Sequence, residues 1–173
     1  MSNVNENIQK MLIARGFDSD KILEINDFSD ISTDNRYICI NDDIKIGIKQ
    51  IKNIEAKMIS ENVNRAIVFY NSTITAFAKQ YLKEENEFDI EMFKIDSMKF
   101  CLLDHDLIPE VCIVDDSEKK DLLSFYRIKE TNLPRIQFED PVARYLGAKK
   151  GNVLRFTRPS ESAGVYSYWR IVH

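Results

Sequence analysis

Apolar residues in the first hundred positions follow two patterns, helical spacing and continuous runs of β-branched residues. Helical spacing between Val4 and Leu12 predicts a first helix that ends at Gly16, because glycine readily adopts the left-handed conformation of a C-cap. The run Ala66–Tyr70 predicts a buried strand. The other elements expected here are helices at 51–63 and about 75–84, a strand at 88–93, and a hairpin whose strands, 36–40 and 44–48, are joined by Asn41, Asp42 and Asp43. This alternation indicates an α/β layer around a small mixed sheet.

The residues after position 100 follow a different pattern, with shorter apolar stretches between turn-forming residues. All four prolines and three of the five glycines lie there, so we expect a boundary near residues 100–106 and domains at 1–100 and 101–173. The second domain reads as a small α+β module, whose core is marginal without a partner surface. A first helix is expected to be capped by Asp116 or Ser117 and to end at Phe125. A second helix is expected at 142–146, with Asp140 as N-cap, Pro141 as the first helical residue and Gly147 at its end. Strands are expected at 153–157 and 165–172, joined by a turn at 159–164.

The overall composition, 44% hydrophobic and 30% charged, is typical of a globular protein. Apolar runs are too short to span a membrane, and Ile44–Ile54, for example, contains three lysines. The polar N-terminus resembles neither a signal peptide nor a transit peptide. Cys39, Cys101 and Cys112 are odd in number and lack C-x-x-C spacing. They therefore argue against a disulfide framework or a cysteine-rich zinc site and favour a reducing compartment.

Charge is unevenly distributed along the chain. The net charge is −4, which argues against a surface devoted entirely to nucleic acid. Residues 141–173, however, hold six lysines and arginines against the single acid Glu161, a net of +5. This segment suits a phosphate or an acidic protein surface, and a solvated basic face remains the alternative.

The usual sequence marks of catalysis are absent. The glycines are isolated, so there is no phosphate-binding loop, and His105 lies in a polar turn that favours a structural role. Asp42 or Asp43, followed by Gln50 and Lys52, loosely resembles the Asp…(Glu/Gln)-x-Lys pattern of metal-dependent nucleases. A second carboxylate is missing, and acids are expected in a hairpin turn for backbone reasons. The sequence predicts no catalytic residue, no metal, no cofactor and no small-molecule substrate.

Two further groups have both a functional and a structural interpretation. The acids at 115–118 could hold a metal, but a helix N-terminus explains them more simply through the helix dipole. Aromatic residues among the basic groups could stack on bases, although we favour core packing for them. These aromatics are Tyr126, Tyr145, Phe156, Tyr166, Tyr168 and Trp169, of which Tyr166 and Tyr168 share one strand face.

Four stretches after position 100 match one family closely. They are His105-Asp106-Leu107-Ile108-Pro109-Glu110, Leu133-Pro134-Arg135-Ile136, Asp140-Pro141-Val142-Ala143-Arg144-Tyr145-x-Gly147-x-Lys149-x-Gly151, and Arg158-Pro159-Ser160-Glu161-Ser162-Ala163-Gly164-x-Tyr166-x-x-x-Arg170. Together they resemble the small subunit shared by the three eukaryotic nuclear RNA polymerases, which has a shorter counterpart in the archaeal RNA polymerase. The archaeal protein consists only of this C-terminal module, so an additional N-terminal half indicates the eukaryotic branch.

The first half resembles the jaw domain of the same family more loosely. The matching stretches are Gly47-Ile48-Lys49-x-Ile51-Lys52, Met58-x-x-Glu61-Asn62-Val63-x-Arg65-Ala66-Ile67-Val68 and Ala78-Lys79-Gln80. The resemblance implies a restriction-endonuclease-like α/β fold without catalytic activity, followed by the small α+β assembly domain. Such a fold would account for the nuclease-like pattern without predicting cleavage.

The resemblance implies a non-catalytic structural subunit of a DNA-directed RNA polymerase. The C-terminal module would anchor it to the largest subunit, and the jaw would reach downstream duplex DNA, with Thr75 and Lys79 as the DNA-proximal candidates. Arg135, Arg144 and Arg158 are the better candidates for polar contacts with the partner. The matched residues assigned to the assembly module are Pro109, Leu133, Pro134, Arg135, Ile136, Asp140, Pro141, Arg144, Tyr145, Arg158, Glu161 and Arg170, with Gly147, Gly151 and Gly164 serving its backbone geometry.

Departures from the family pattern concern mainly the jaw. Thr75-Ala76 replaces the Thr-Pro that faces DNA in cellular members, and Val111 replaces a family histidine. The resemblance implies a nuclear location, or a viral factory or virion if the chain is viral. The alternatives are a magnesium-dependent nuclease or repair protein built on the N-terminal fold and a free-standing DNA-binding protein.

Overall fold

The computed structural model describes residues 2–19, 31–33, 36–41, 45–83, 88–162 and 164–173. Its helices are α1 (Ser2–Ala14), α2 (Ile48–Ser60), α3 (Ala76–Lys83), α4 (Asp116–Tyr126) and α5 (Pro141–Leu146), with 3₁₀ turns at Ile95–Lys99 and Glu130–Asn132. Its strands are β1 (Ile31–Thr33), β2 (Arg36–Asn41), β3 (Lys45–Ile46), β4 (Arg65–Tyr70), β5 (Thr73–Ile74), β6 (Asp89–Lys94), β7 (Glu110–Val114), β8 (Arg135–Ile136), β9 (Val153–Ser160) and β10 (Gly164–Val172). Within these ranges, no helix is long and apolar enough to cross a membrane.

Residue contacts divide the chain into two compact units. The first comprises Met1–Lys10 and Phe17–Phe100, and the second comprises Met11–Gly16 and Cys101–His173. The end of α1 and the residues up to Gly16 therefore belong with the second unit, although the rest of that unit begins only at Cys101.

A four-stranded sheet in the order β1-β2-β4-β6 forms the first unit's centre. Strands β2, β4 and β6 are parallel, and β1 runs antiparallel along β2. The central position of β4, with four of its six residues buried, confirms the strand predicted at Ala66–Tyr70. The predicted helix ending at Gly16 is confirmed as well, because Gly16 has a φ of +81°. Strand β6 and helix α3 also lie close to their predicted positions.

The predicted hairpin between residues 36 and 48 is wrong. Strand β2 pairs with β1 and β4, whereas β3 pairs in parallel with β5 in a separate two-stranded sheet. Helix α2 already begins at Ile48, and the Gln50 side chain accepts a hydrogen bond from Gly47 N at 3.0 Å. Three consecutive buried residues of β2, Tyr37 to Cys39, need cover on both faces, which a central parallel strand provides. The predicted turn residues Asp42 and Asp43 lie outside the described residues.

Helix α2 covers the core of the first unit along one stripe. Ile51, Ile54 and Met58 are three to four residues apart and are all buried. Ile54 and Met58 pack into a cluster with β2 and β4, and Ile51 packs with Ile46 and with Ala78 of α3. The helical period predicted from position 51 is therefore confirmed as far as Met58, whereas the helix ends at Ser60, before the predicted end at residue 63.

The second unit is a sheet in the order β7-β9-β10-β8 with a helix on each face. All pairs are antiparallel except β10 with β8. Neighbouring residues of β9 point to opposite faces, so Leu154 joins the cluster with α5, and Val153 joins the cluster with Leu122 of α4. The two clusters are both apolar, which gives a module of about 70 residues a core on each side of its sheet.

Local signals in the second unit agree closely with the observed elements. Asp140 caps α5 by accepting from Val142 N at 2.9 Å, Pro141 is the first residue, and Gly147 ends it with a φ of +68°. The cap of α4 is Asp115, one residue before the predicted Asp116, and it accepts from Glu118 N at 2.8 Å. Strand β7 has no counterpart among the predicted elements.

Candidate assembly surface

A ladder of tyrosines and arginines runs along one face of β9 and β10. Arg158 pairs in register with Tyr166, and Phe156 pairs with Tyr168, so these side chains share a face. The ring centroids of Tyr168 and Phe156 lie 5.0 Å apart with an interplanar angle of 7°, and those of Tyr166 and Tyr168 lie 6.0 Å apart. The Arg158 guanidinium lies 5.8 Å and 5.9 Å from the two tyrosine centroids, and that of Arg170 lies 5.9 Å from Tyr168. The ladder is built by cation–π and stacking contacts.

The ladder changes from buried to exposed toward the β9–β10 turn. Phe156 is buried in the cluster with α5, Tyr168 is half-buried, and Tyr166 is 48% exposed. Arg158 and Arg170 are exposed, and among the described residues neither has a carboxylate partner. Arg158 lies at the exposed end, whereas Arg170 pairs with Leu154, at the end of the ladder farther from the turn. Each arginine offers an exposed guanidinium beside a tyrosine ring, which suits a carboxylate-bearing protein surface. The expectation that these aromatics fill the core is correct for Phe156 and wrong for Tyr166.

The sequence-predicted residues of this region do not all lie on the ladder. Glu161 is exposed in the turn between β9 and β10. Arg135 is exposed in β8 and pairs with Ile171, which packs into the α4 cluster, so Arg135 lies on the face opposite Arg170. The predicted arginines therefore do not form one patch.

Other predicted members of the module serve its interior. Leu133 and Ile136 are buried on opposite sides of the sheet, and Tyr145 is buried beside Cys101. The exposed Pro134 contributes its main-chain carbonyl, which accepts from Ile171 N at 2.8 Å. Burial raises the pKa of Tyr145, whose hydroxyl lies 3.4 Å from the Cys101 sulfur. These residues shape the fold, so they support a partner surface without forming it.

The remaining predicted members lie at element ends. Pro109 is half-buried just before β7, and Pro141 is exposed at the first position of α5. Asp140 is half-buried, and its carboxylate caps that helix. Arg144 is exposed in the last turn of α5, where a positive charge complements the helix dipole.

Arg15 is a member of this region that the sequence interpretation missed. Its guanidinium donates from Nε to the main-chain carbonyl of Tyr145 at 3.0 Å and from Nη2 to that of Arg144. Both carbonyls lie in the last turn of α5, where helical carbonyls lack partners within the helix. Gly147 adjoins this contact, since a Cβ there would lie 3.3 Å from the guanidinium. No local sequence signal links Arg15 to Arg144 and Tyr145, which lie 129 and 130 positions further along the chain.

The acids near 115–118 act as structural groups. Asp115 caps α4, and Glu118 accepts from Arg155 at 2.6 Å across the sheet face. The Cys112 sulfur and the Glu118 carboxylate raise the pKa of Arg155, with Cys112 contributing most. Across the described ranges, no group of three or more histidine, cysteine or acidic residues is arranged to hold a metal.

The two DNA-proximal candidates lie at the start of α3. The Thr75 hydroxyl oxygen accepts from Ala78 N at 3.2 Å, so Thr75 acts as the helix cap. Lys79 is exposed one turn later, and its amide donates to the Thr75 carbonyl at 3.0 Å. Phe77, between them, is 75% exposed. A capped helix start, a lysine and an exposed ring thus share one short segment.

The nuclease-like pattern does not assemble among the described residues. The Gln50 side-chain oxygen is engaged by the Gly47 amide, and Lys52 is exposed on α2. Asp42 and Asp43 lie outside the described residues. The exposed arginines beside tyrosine rings and the exposed Lys79 instead suit the binding of partners, as in a subunit of a larger assembly.

Comparison with known proteins defines that assembly. Residues 100–172 match the family described as RNA polymerase Rpb5, C-terminal domain. The chain is 40% identical over 145 residues to "DNA-directed RNA polymerases I, II, and III subunit rpabc1" of Dictyostelium discoideum, covering 82% of this chain and 74% of that protein. It is 38% identical to the RPABC1 subunits of Caenorhabditis elegans and Caenorhabditis briggsae, covering 83% of this chain and 69% of each.

These similarities confirm the resemblance found in the sequence. The chain belongs to the family of the small subunit shared by RNA polymerases I, II and III. It is a non-catalytic subunit of a DNA-directed RNA polymerase, and the nuclease alternative finds no support.

Proposed function

We propose that the second unit attaches this subunit to the largest polymerase subunit and that the exposed arginines of the tyrosine–arginine ladder are part of the contact. The observation that carries the proposal is the pair Arg158 and Arg170, which lie over tyrosine rings without a carboxylate partner in the described chain. Guanidinium groups held by rings lose less conformational freedom on binding, and arginine and tyrosine are common among the residues that dominate interface energies.

The first unit would then be a jaw placed near downstream DNA. We propose that it keeps a restriction-endonuclease-like frame without cleavage activity. Thr75 and Lys79 are the candidate contacts, since a helix start and an exposed lysine both attract phosphate. The names of the relatives, which are subunits of the nuclear polymerases, support a nuclear location.

The attachment is tested by affinity purification of the tagged chain at moderate salt, with mass spectrometry of the recovered proteins. Stoichiometric recovery of the two large polymerase subunits is expected. The double variant Arg158→Glu with Arg170→Glu should recover much less of them while keeping its thermal unfolding temperature. Lys120→Glu is the control, because this exposed lysine belongs to α4, which packs on the face of the sheet opposite the ladder. Full recovery by the double variant would overturn the proposed contact.

The DNA contact needs the assembled enzyme. A photoreactive group on downstream template DNA should crosslink to the segment around Lys79 in the transcribing polymerase, and Lys79→Ala should reduce the yield. Crosslinks that never reach this segment would argue against a jaw near DNA and leave the attachment proposal unaffected.

A further inference from the structure

Strand β7 forms an edge of the second unit's sheet and carries main-chain groups that have no partner among the described residues. Of the described strands, only β9 is hydrogen-bonded to it. An antiparallel edge strand turns every second residue's N–H and C=O away from its partner. Which residues of β7 face outward follows from the register.

A hydrogen bond between β10 and the start of β8 shows which residues of β7 turn their main-chain groups outward. Ile171 donates its amide to Pro134, away from β9, so its register partner Val153 directs its own groups toward β7. Val153 pairs with Val114, and the bonded pairs then recur at every second residue along β7. The residues between them, Val111 and Ile113, therefore turn their N–H and C=O groups to the open edge. No described residue is hydrogen-bonded to these four groups.

The side chains along this edge are apolar and accessible. Ile113 is 40% exposed, and Val111 and Cys112 are half-buried. Val111 and Ile113 pair with Phe156 and Leu154, so they extend the apolar α5 face of the sheet to its edge. Natural edge strands commonly carry lysine, proline or a bulge against unwanted pairing. Between Glu110 and Val114 the strand has none of these and keeps a continuous register.

Acidic residues flank strand β7 along the chain. Residues 104–116 hold five acids and no lysine or arginine, and the acids are all exposed. A second copy of the chain would bring a strand with the same acidic flanks to this edge, so self-association is disfavoured. The acids instead favour a strand that carries basic residues.

We infer that the open edge of β7 accepts an extended segment of another polymerase subunit, which adds a fifth strand to the sheet. The segment bonds to Val111 and Ile113 through its main chain, places apolar side chains beside them at alternate positions, and carries lysine or arginine near Glu110 and Asp115. This inference deepens the proposed function, since it rests on assembly into the polymerase and adds to the ladder a second contact, made mainly through main-chain hydrogen bonds.

Hydrogen–deuterium exchange with residue resolution tests the inference on the unmodified chain. The amides of Val111 and Ile113 should exchange rapidly in the free subunit and at least ~10-fold more slowly in the purified polymerase. The Cys112 amide, already bonded to β9, is the internal reference and should be slow in both. Equal exchange of Val111 and Ile113 in both states would overturn the inference while leaving the subunit's assembly intact.

A variant pair provides the second measurement. Ile113→Pro removes an outward amide and can keep β7 paired with β9, because proline is tolerated where the amide faces solvent. Recovery of the large subunits should fall at least about threefold with Ile113→Pro and stay unchanged with Ile113→Val, which keeps the amide. Unchanged recovery with a folded Ile113→Pro variant would overturn the inference.

Two further outcomes separate the alternatives. Slow exchange of both amides in the free chain that appears only at high concentration, together with a dimer in sedimentation, would identify a second copy as the occupant and overturn the inference. Failure of the unmodified chain to recover any polymerase would refute the proposed function, and the inference with it.

Discussion

The guanidinium of Arg15 is hydrogen-bonded to the main-chain carbonyl of Tyr145, 130 positions away in sequence, at 3.0 Å. Tyr145 lies in the last turn of a six-residue helix, α5, too short to be stable alone in water. A charged donor on its terminal carbonyls stabilises the turn from which Arg144 projects. The N-terminal segment therefore contributes directly to the module that carries the family signature.

Replacing Gly147 tests this arrangement. Gly147 and Gly164 both have positive φ, +68° and +71°, so alanine costs about 1 kcal/mol of backbone strain at either position. At Gly147 the new Cβ also meets the Arg15 guanidinium at 3.3 Å, whereas at Gly164 nothing lies within 4 Å. We expect Gly147→Ala to lower the free energy of unfolding more than Gly164→Ala, as measured by chemical denaturation. In an Arg15→Ala background the two losses should become equal, and a persistent difference would contradict the contact.

The cap of α5 should be measurable on its own. Asp140→Ala removes the acceptor for Val142 N and should lower the free energy of unfolding by about 1 kcal/mol. Asp140→Asn keeps an acceptor oxygen and should retain most of that stability. Thermal unfolding of the two variants compares them directly, and equal losses would indicate that the charge of Asp140 matters rather than the cap.

Asp96 in the first unit predicts a specific pH dependence. Hydrogen bonds from Lys94 and Lys99, each with an N–O distance of 2.8 Å, lower the pKa of Asp96 from 3.8 to about 2. Because the folded pKa is depressed, the stabilisation is present above about pH 4 and is lost as the pH falls toward about 2. An NMR titration of the Asp96 carboxyl should show the low pKa, and Lys94→Met should raise it more than Lys99→Met. Titration near 3.8 in the unmodified protein would contradict the contacts.

Arg144→Glu should reduce incorporation into the polymerase while the chain stays folded. Arg144 is exposed in α5, so reversing its charge alters the surface more than the core. Recovery of the large subunits with the tagged variant measures the effect, and Lys120→Glu again supplies the matched change on α4. Normal recovery would remove Arg144 from the interface.

The sequence by itself determined the features that depend on neighbouring residues and the family, which long motifs identify. Asp140, Pro141 and Gly147 mark the bounds of α5. The N-cap, the proline at the first helical position and the glycine in the left-handed conformation each depend only on the backbone geometry of neighbouring residues. Strand β4 could be predicted from its apolar run, because a strand covered on both faces needs continuous apolar residues. The family followed from long motifs between Leu133 and Arg170, which need no structure to be recognised.

Tertiary structure decided whatever depends on partners distant in sequence. Strands β2 and β3 lie close along the chain and looked like a hairpin, yet they do not pair with each other. Strand β2 pairs with β1 and β4, and β3 pairs with β5, because pairing depends on where each strand is buried in the whole fold. Arg135 lies on the face opposite Arg170 because β8 runs parallel beside β10 in a register that no local pattern specifies. The open edge of β7 depends on its place at the end of the sheet order, and strand order is a property of the whole fold.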